Sequence, residues 1–160
     1  MNKISIVMGS ESDLETVSEA INTLKKFKVR FEARVLSAHR APDNLRNYVV
    51  EADKKGIKVF IAAAGGAAAL AGVIASHTNL PVIGIPVETK SLDGLDSLLS
   101  TVQMPAGVPV ATMAIGKSGA RNAAIFALEI LAISDKKIAE KLSKYRKDMR
   151  MKVTKTKIKL

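Results

Sequence analysis

The chain opens with a short apolar run and then repeats one alternation, apolar run followed by a stretch of helical spacing. Residues 3–8 (KISIVM) are the first run, ended by Gly9. Residues 12–27 set Leu14, Val17, Ala20, Ile21 and Leu24 at helical intervals, which predicts one apolar helix face. Residues 31–36 form a second run, interrupted by Arg34. Pro42 suits the first turn of a helix, where its missing N–H is not needed, and that helix continues to Lys55 and stops at Gly56. A third strand is expected at 59–64, a small-residue helix at 67–76, a short strand at 81–85 ended by Pro86, a fifth strand at 109–115 and an apolar helix at 120–133. Ser134 opens a last, basic helix. Strands without strict two-residue alternation, joined by helices, imply a parallel sheet covered on both faces. With right-handed crossovers the expected architecture is α/β, a three-layer doubly wound parallel sheet with an extra C-terminal basic helix.

Composition narrows the chemistry. Of 160 residues 48% are hydrophobic, enough for a sizeable core. Cysteine is absent, which excludes disulfides and thiolate catalysis. Two histidines far apart in sequence do not suggest a metal site, and none is expected. The first strand starts so near Met1 that no leader is expected, and the longest apolar stretch, 59–76, is broken by Gly65, Gly66 and Gly72. No membrane span is expected from it, and the location expected is cytoplasmic. The formal charge of +10 is concentrated at one end: residues 134–160 carry a net +8 and the rest a net +2. Without aromatics interleaved among the basic residues, nucleic acid is not an expected partner, and the tail reads as a solvated helix.

Loops after the strands carry the candidate chemistry, because ligands of open parallel sheets bind at the carboxyl ends of the strands. In Ser37-Ala38-His39-Arg40-Ala41-Pro42 a proton-transfer group stands beside an anion-binding fork. The alternative is that Ser37 caps a helix and Arg40 is solvated. In Gly9-Ser10-Glu11-Ser12-Asp13 a glycine turn at a helix start offers N–H groups and hydroxyls to an anion, and Asp13 can accept from sugar hydroxyls. There, too, Ser12 can cap the helix, with Glu15 closing a capping box. The loop from Gly65 and Gly66 through Ala67, Ala68, Ala69 and Leu70 permits close approach of a ligand or of another helix. The connection from Asp93 to Pro109 is long, which suggests a functional flap or an inter-subunit arm.

Five motifs in this order resemble one family: GSESD at 9–13, SAHRAP at 37–42, PVIGIPV at 81–87, LDGLDSLLSTVQMPAGVPVATMAIG at 92–116 and GARNAA at 119–124. The chain is similar to the catalytic subunit of phosphoribosylaminoimidazole carboxylase, over about the first 135 residues. Within that family it looks like the bacterial N5-carboxyaminoimidazole ribonucleotide mutase type, for which Arg40 stands where the animal-type carboxylase has Lys. The resemblance implies a flavodoxin-like catalytic domain at 1–133 with a helical extension at 134–160. It implies a purine-biosynthetic enzyme that isomerises N5-carboxyaminoimidazole ribonucleotide by decarboxylation and recarboxylation. His39 would be the general acid and base. Ser10, Ser12 and Arg40 would hold the 5′-phosphate with Ser37 beside them, Asp13 the ribose, and the loop of Gly65, Gly66, Ala67, Ala69 and Leu70 the carboxylate or carbon dioxide. It further implies a homo-oligomer, an octamer with shared sites, using no metal and no organic cofactor. Direct carboxylation of aminoimidazole ribonucleotide and a non-catalytic ribonucleotide-binding role stay open as alternatives. The sequence departs from the family's GGAAHLPG in having Ala69 and Ala71 for the His and Pro. His77, eight residues on, would lie about 12 Å away along a helix and is not a substitute.

Overall fold

The computed structural model describes residues 3–156. Five parallel strands make one sheet in the order β2-β1-β3-β4-β5. They are β1 (Ile4–Met8), β2 (Phe31–Val35), β3 (Val59–Ala64), β4 (Val82–Pro86) and β5 (Ala111–Thr112). β1 and β4 are buried along their whole length and β3 for five of six residues, as strands covered on both faces must be. The edge strand β2 is partly exposed, and β5, expected over seven residues, pairs over only two.

The helices are α1 (Leu14–Phe27), α2 (Pro42–Lys54), α3 (Leu70–Ala75), α4 (Leu95–Val102), α5 (Gly116–Ala132) and α6 (Lys136–Lys155). α1 buries Val17, Ala20, Leu24 and Phe27, and α2 buries Leu45, Tyr48, Val49 and Ala52, each set one helical face. Pro42 opens α2, and Gly56, at φ +85°, follows its end. Phe60, Ile74 and Val82 join the α2 face in the core. A polar chain crosses the β1–β2 side. Tyr48 donates to Glu32 at 2.5 Å, so its oxygen accepts from the buried Ser5 hydroxyl, also at 2.5 Å. Burial and the Glu32 bond push the Tyr48 hydroxyl up to about 12.

Two expectations need correction. The start of α3 is later than predicted, because residues 67–69 are spent on a turn. α6 is capped not by Ser134 but by Asp135, whose carboxylate accepts the Ile138 N–H at 3.3 Å. The long 93–109 connection contains α4. Its polarity is inverted: Ser97 and Thr101 are buried, whereas Leu95, Leu99 and Val102 are about half exposed.

The chain divides into two compact units, 1–127 and 128–160. The first holds the sheet, and in it Lys117 and Arg121 pair with Glu15 and Glu19, each at 2.7 Å. The second holds the end of α5 and the basic α6, with Arg146 paired to Glu129 at 2.5 Å. Among the described residues no helix is long and apolar enough to cross a membrane.

The first turn of α5 lies directly on the preceding backbone. A Cβ on Gly119 would sit 1.6 Å from the Ala114 carbonyl oxygen. Backbone cannot yield as a side chain does, so Gly119→Ala should cost about 3 kcal/mol, the upper end for overpacked sites. Exposed Ser118→Ala should stay within about 0.5 kcal/mol. Urea unfolding checks both; equal midpoints for Gly119→Ala and wild type would mean that α5 does not start this close to Ala114.

Candidate active site

Parallel register brings four strand ends to one level. Met8 is paired with Val35 on one side and Ala63 on the other, and Ala64 with Pro86. The segments leaving these strands enclose a cavity of about 540 Å³.

From β1 come Gly9, Ser10, Ser12 and Asp13. The local fold is a 3-10 turn at Glu11–Asp13, and it corrects the expected cap. Ser10, not Ser12, is the cap: its Oγ accepts the Ser12 N–H at 3.4 Å and the Ser12 hydroxyl at 3.1 Å. Asp13, not Glu15, closes the box by accepting the Ser10 N–H at 3.0 Å. Glu15 is occupied by Lys117 instead. Both predicted ligand-binding residues, Ser10 and Asp13, therefore shape the turn as well as line the cavity. Asp13 is buried, and burial raises its carboxyl from the ordinary 3.8, while the Ser10 and Gly9 backbone and the Arg40 charge pull it back.

From β2 come Ser37, Ala38, His39 and Arg40. Ser37 does not cap α2, whose first turn is preceded by Ala41 with no side-chain cap. Its hydroxyl instead accepts from the Arg40 backbone N–H at 3.2 Å and from Arg40 Nε at 3.3 Å. Arg40 Nη2 donates to the Gly9 carbonyl at 3.1 Å, binding the second loop to the first. The guanidinium is thus oriented while still exposed, as is His39.

From β3 come Ala64, Gly65, Ala68, Ala69 and Leu70; Gly66 and Ala67 belong to the same turn but do not line the cavity. Val87, Glu88 and Thr89 complete it after β4. These three are not among the sequence candidates, since none is of a type that by itself marks a site; the signal for them is their place directly after a buried strand. His77 lies outside the cavity, just past the end of α3.

A ring of hydroxyls with one guanidinium and the Asp13 carboxylate among them suits a phosphorylated sugar, the alanine wall suits a small apolar species, and Glu88 adds a second carboxylate to the lining. The model of the AIR carboxylase family matches residues 3–152. The chain belongs to the AIR carboxylase family. Among its relatives, the N5-carboxyaminoimidazole ribonucleotide mutase of Saccharolobus solfataricus is 54% identical, covering 99% of each chain. The protein of that name from Bacillus subtilis is 51% identical over 94% of this chain and 93% of its own. The crystal structure of Treponema denticola PurE superposes with a TM-score of 0.87 at 26% identity, over 96% of this chain and 95% of that one. This AIR carboxylase family member thus has the flavodoxin-like sheet expected of it, and among the described residues no group of three or more His, Asp or Glu is placed to hold a metal ion.

Asp13 gives a pH-dependent prediction. Its folded value lies above the unfolded one, so its contribution to stability is fully present below about pH 3.9 and is lost as pH rises through the folded value. A carboxyl NMR titration should place Asp13 above 3.8, and Arg40→Ala should move it further up. A value at or below 3.8, or a downward move, would contradict the burial and the Arg40 contact.

Proposed function

We propose that this chain converts N5-carboxyaminoimidazole ribonucleotide to 4-carboxy-5-aminoimidazole ribonucleotide in purine biosynthesis. The observation that carries this reading is the placement of His39 and Arg40 in one cavity with the Ser10–Ser12–Asp13 turn and the alanine wall. The family and the names of the relatives support the same activity.

Arg40 and the hydroxyls of Ser10, Ser12 and Ser37 hold the 5′-phosphate, and Asp13 accepts from the ribose. The bond from the exocyclic nitrogen to the carboxylate breaks, the electron pair stays on nitrogen, and the His39 imidazolium supplies the proton that nitrogen takes up. Ring carbon 4 then attacks the released carbon dioxide, and the His39 imidazole removes the proton which that carbon loses. The proton account closes on one side chain, and no electron is exchanged with a cofactor. Ala64, Ala68, Ala69, Leu70 and Val87 give the gas a wall without hydrogen-bonding groups on its side chains. Ala69 stands where the resemblance expects His, so in this chain proton transfer falls to His39 alone.

The finer features belong to the same proposal: residues 1–133 as the catalytic domain, residues 134–160 as an extension, a cytoplasmic location and an octamer. Leu95, Leu99 and Val102, exposed on one face of α4, support assembly, because a contiguous apolar patch on a soluble protein marks an interface.

The purified protein should form the 4-carboxy product from the N-carboxylated substrate and not, at comparable rate, from aminoimidazole ribonucleotide plus bicarbonate. His39→Asn keeps hydrogen bonding and cannot carry a proton, so turnover should fall by about 10²–10⁴-fold with phosphate binding retained. Near-wild-type turnover in this variant, followed by ultraviolet absorbance, would remove His39 from the mechanism.

A further inference from the structure

One short helix grips the glycine turn after β3 from outside the cavity. Ser97 of α4 is fully buried and does not line the cavity. Its hydroxyl donates to the Val87 carbonyl at 2.7 Å and accepts the Gly66 N–H at 2.9 Å. Three residues on, the Ser100 hydroxyl donates to the Gly66 carbonyl at 3.3 Å. Both polar groups of Gly66 are therefore held by α4. Asp96 accepts the Thr89 hydroxyl at 2.9 and 3.0 Å, so the same helix reaches the segment after β4.

The turn needs an external hold. Gly66 has φ +66° and Ala68 φ +35°, the latter a conformation that L side chains rarely adopt. Its own closing bond, from the Ala68 N–H to the Gly65 carbonyl, is long at 3.3 Å. Ala68, Ala69 and Leu70, which line the cavity, follow Gly66 after the single intervening residue Ala67.

We propose that Ser97, assisted by Ser100, is a positioning residue for carboxylate transfer, fixing the turn so that Ala68, Ala69 and Leu70 close over the carbon dioxide set free between the two bond changes. The inference rests on the reaction proposed above. Without the Ser97 hydroxyl, the Gly66 N–H and the Val87 carbonyl lose their partner, and water entering to satisfy them opens the wall. The phosphate-binding side chains stand on the other two loops, so substrate affinity is left alone.

In Ser97→Ala, kcat should fall about 10–100-fold with KM within about threefold, as expected when reacting groups are misplaced and binding groups are not. The share of turnovers that release aminoimidazole ribonucleotide in place of product should rise about tenfold as carbon dioxide escapes. Hydrogen exchange at the Gly66 amide of the unliganded protein should quicken at least about tenfold. Ser100→Ala should move all three readouts the same way by less, and it carries the test if Ser97→Ala does not fold. Wild-type turnover and partition in the folded variant overturn the proposal, as does a loss of kcat matched by a rise in KM with partition unchanged. A wild-type protein inert toward the N-carboxylated substrate would sink the proposed reaction instead; unchanged Gly66 exchange in Ser97→Ala would then sink the grip independently.

Discussion

Parallel pairing of β1 with β2 and β3, and of β3 with β4, is the constraint on which the site depends. In a parallel sheet every strand ends at the same edge, so the loops that follow are neighbours in space whatever their separation in sequence. Met8, Val35, Ala63 and, one residue beyond on the next pair, Ala64 with Pro86 fix that edge. Slipping one strand by one residue would turn its side chains to the opposite face and withdraw its loop from the cavity. The buried runs of β1, β3 and β4 resist such a slip, because the core accepts them in one register.

On that frame the first two loops stabilise each other. Asp13 closes the turn that presents Ser10, and Arg40 reaches from the second loop to the Gly9 carbonyl of the first. The groups offered to a ligand are thus the groups that order the protein around it, so little rearrangement is needed when substrate binds. The cost is a carboxylate held in a buried place, visible in the upward displacement of Asp13. The third wall is different in kind. It has no polar side chain of its own and takes its shape from Ser97 and Ser100, two serines about thirty residues away in sequence.

Much of this was legible in the chain itself. β1, β3 and β4 were readable because buried parallel strands are written as unbroken apolar runs, and α1 and α2 because each turns one apolar face inward. α4 was not legible as a helix. Leu95 and Leu99 are about half exposed while Ser97 and Thr101 are buried, so the usual rule for locating a core face misreads it. The capping of the first turn was misassigned by two residues, since GSESD offers two serines and two carboxylates, and spacing alone cannot rank a 3-10 turn against an α-helical start. His39 and Arg40 were found from their place after a strand. Glu88 and Thr89 follow a strand equally closely but lack an arresting residue type, and only the assembled cavity discloses them.

A closed alanine wall keeps one carbon in the site through both bond changes. Substrate carrying ¹³C in its N-carboxylate, turned over in unlabelled bicarbonate and stopped early, measures this directly. Retention of ¹³C in the 4-carboxylate of the product, with little unlabelled product, is the result predicted by a closed alanine wall and a single proton carrier. Product carrying the unlabelled carbon of the medium would show that the carboxylate leaves the cavity and that the enzyme carboxylates from solution.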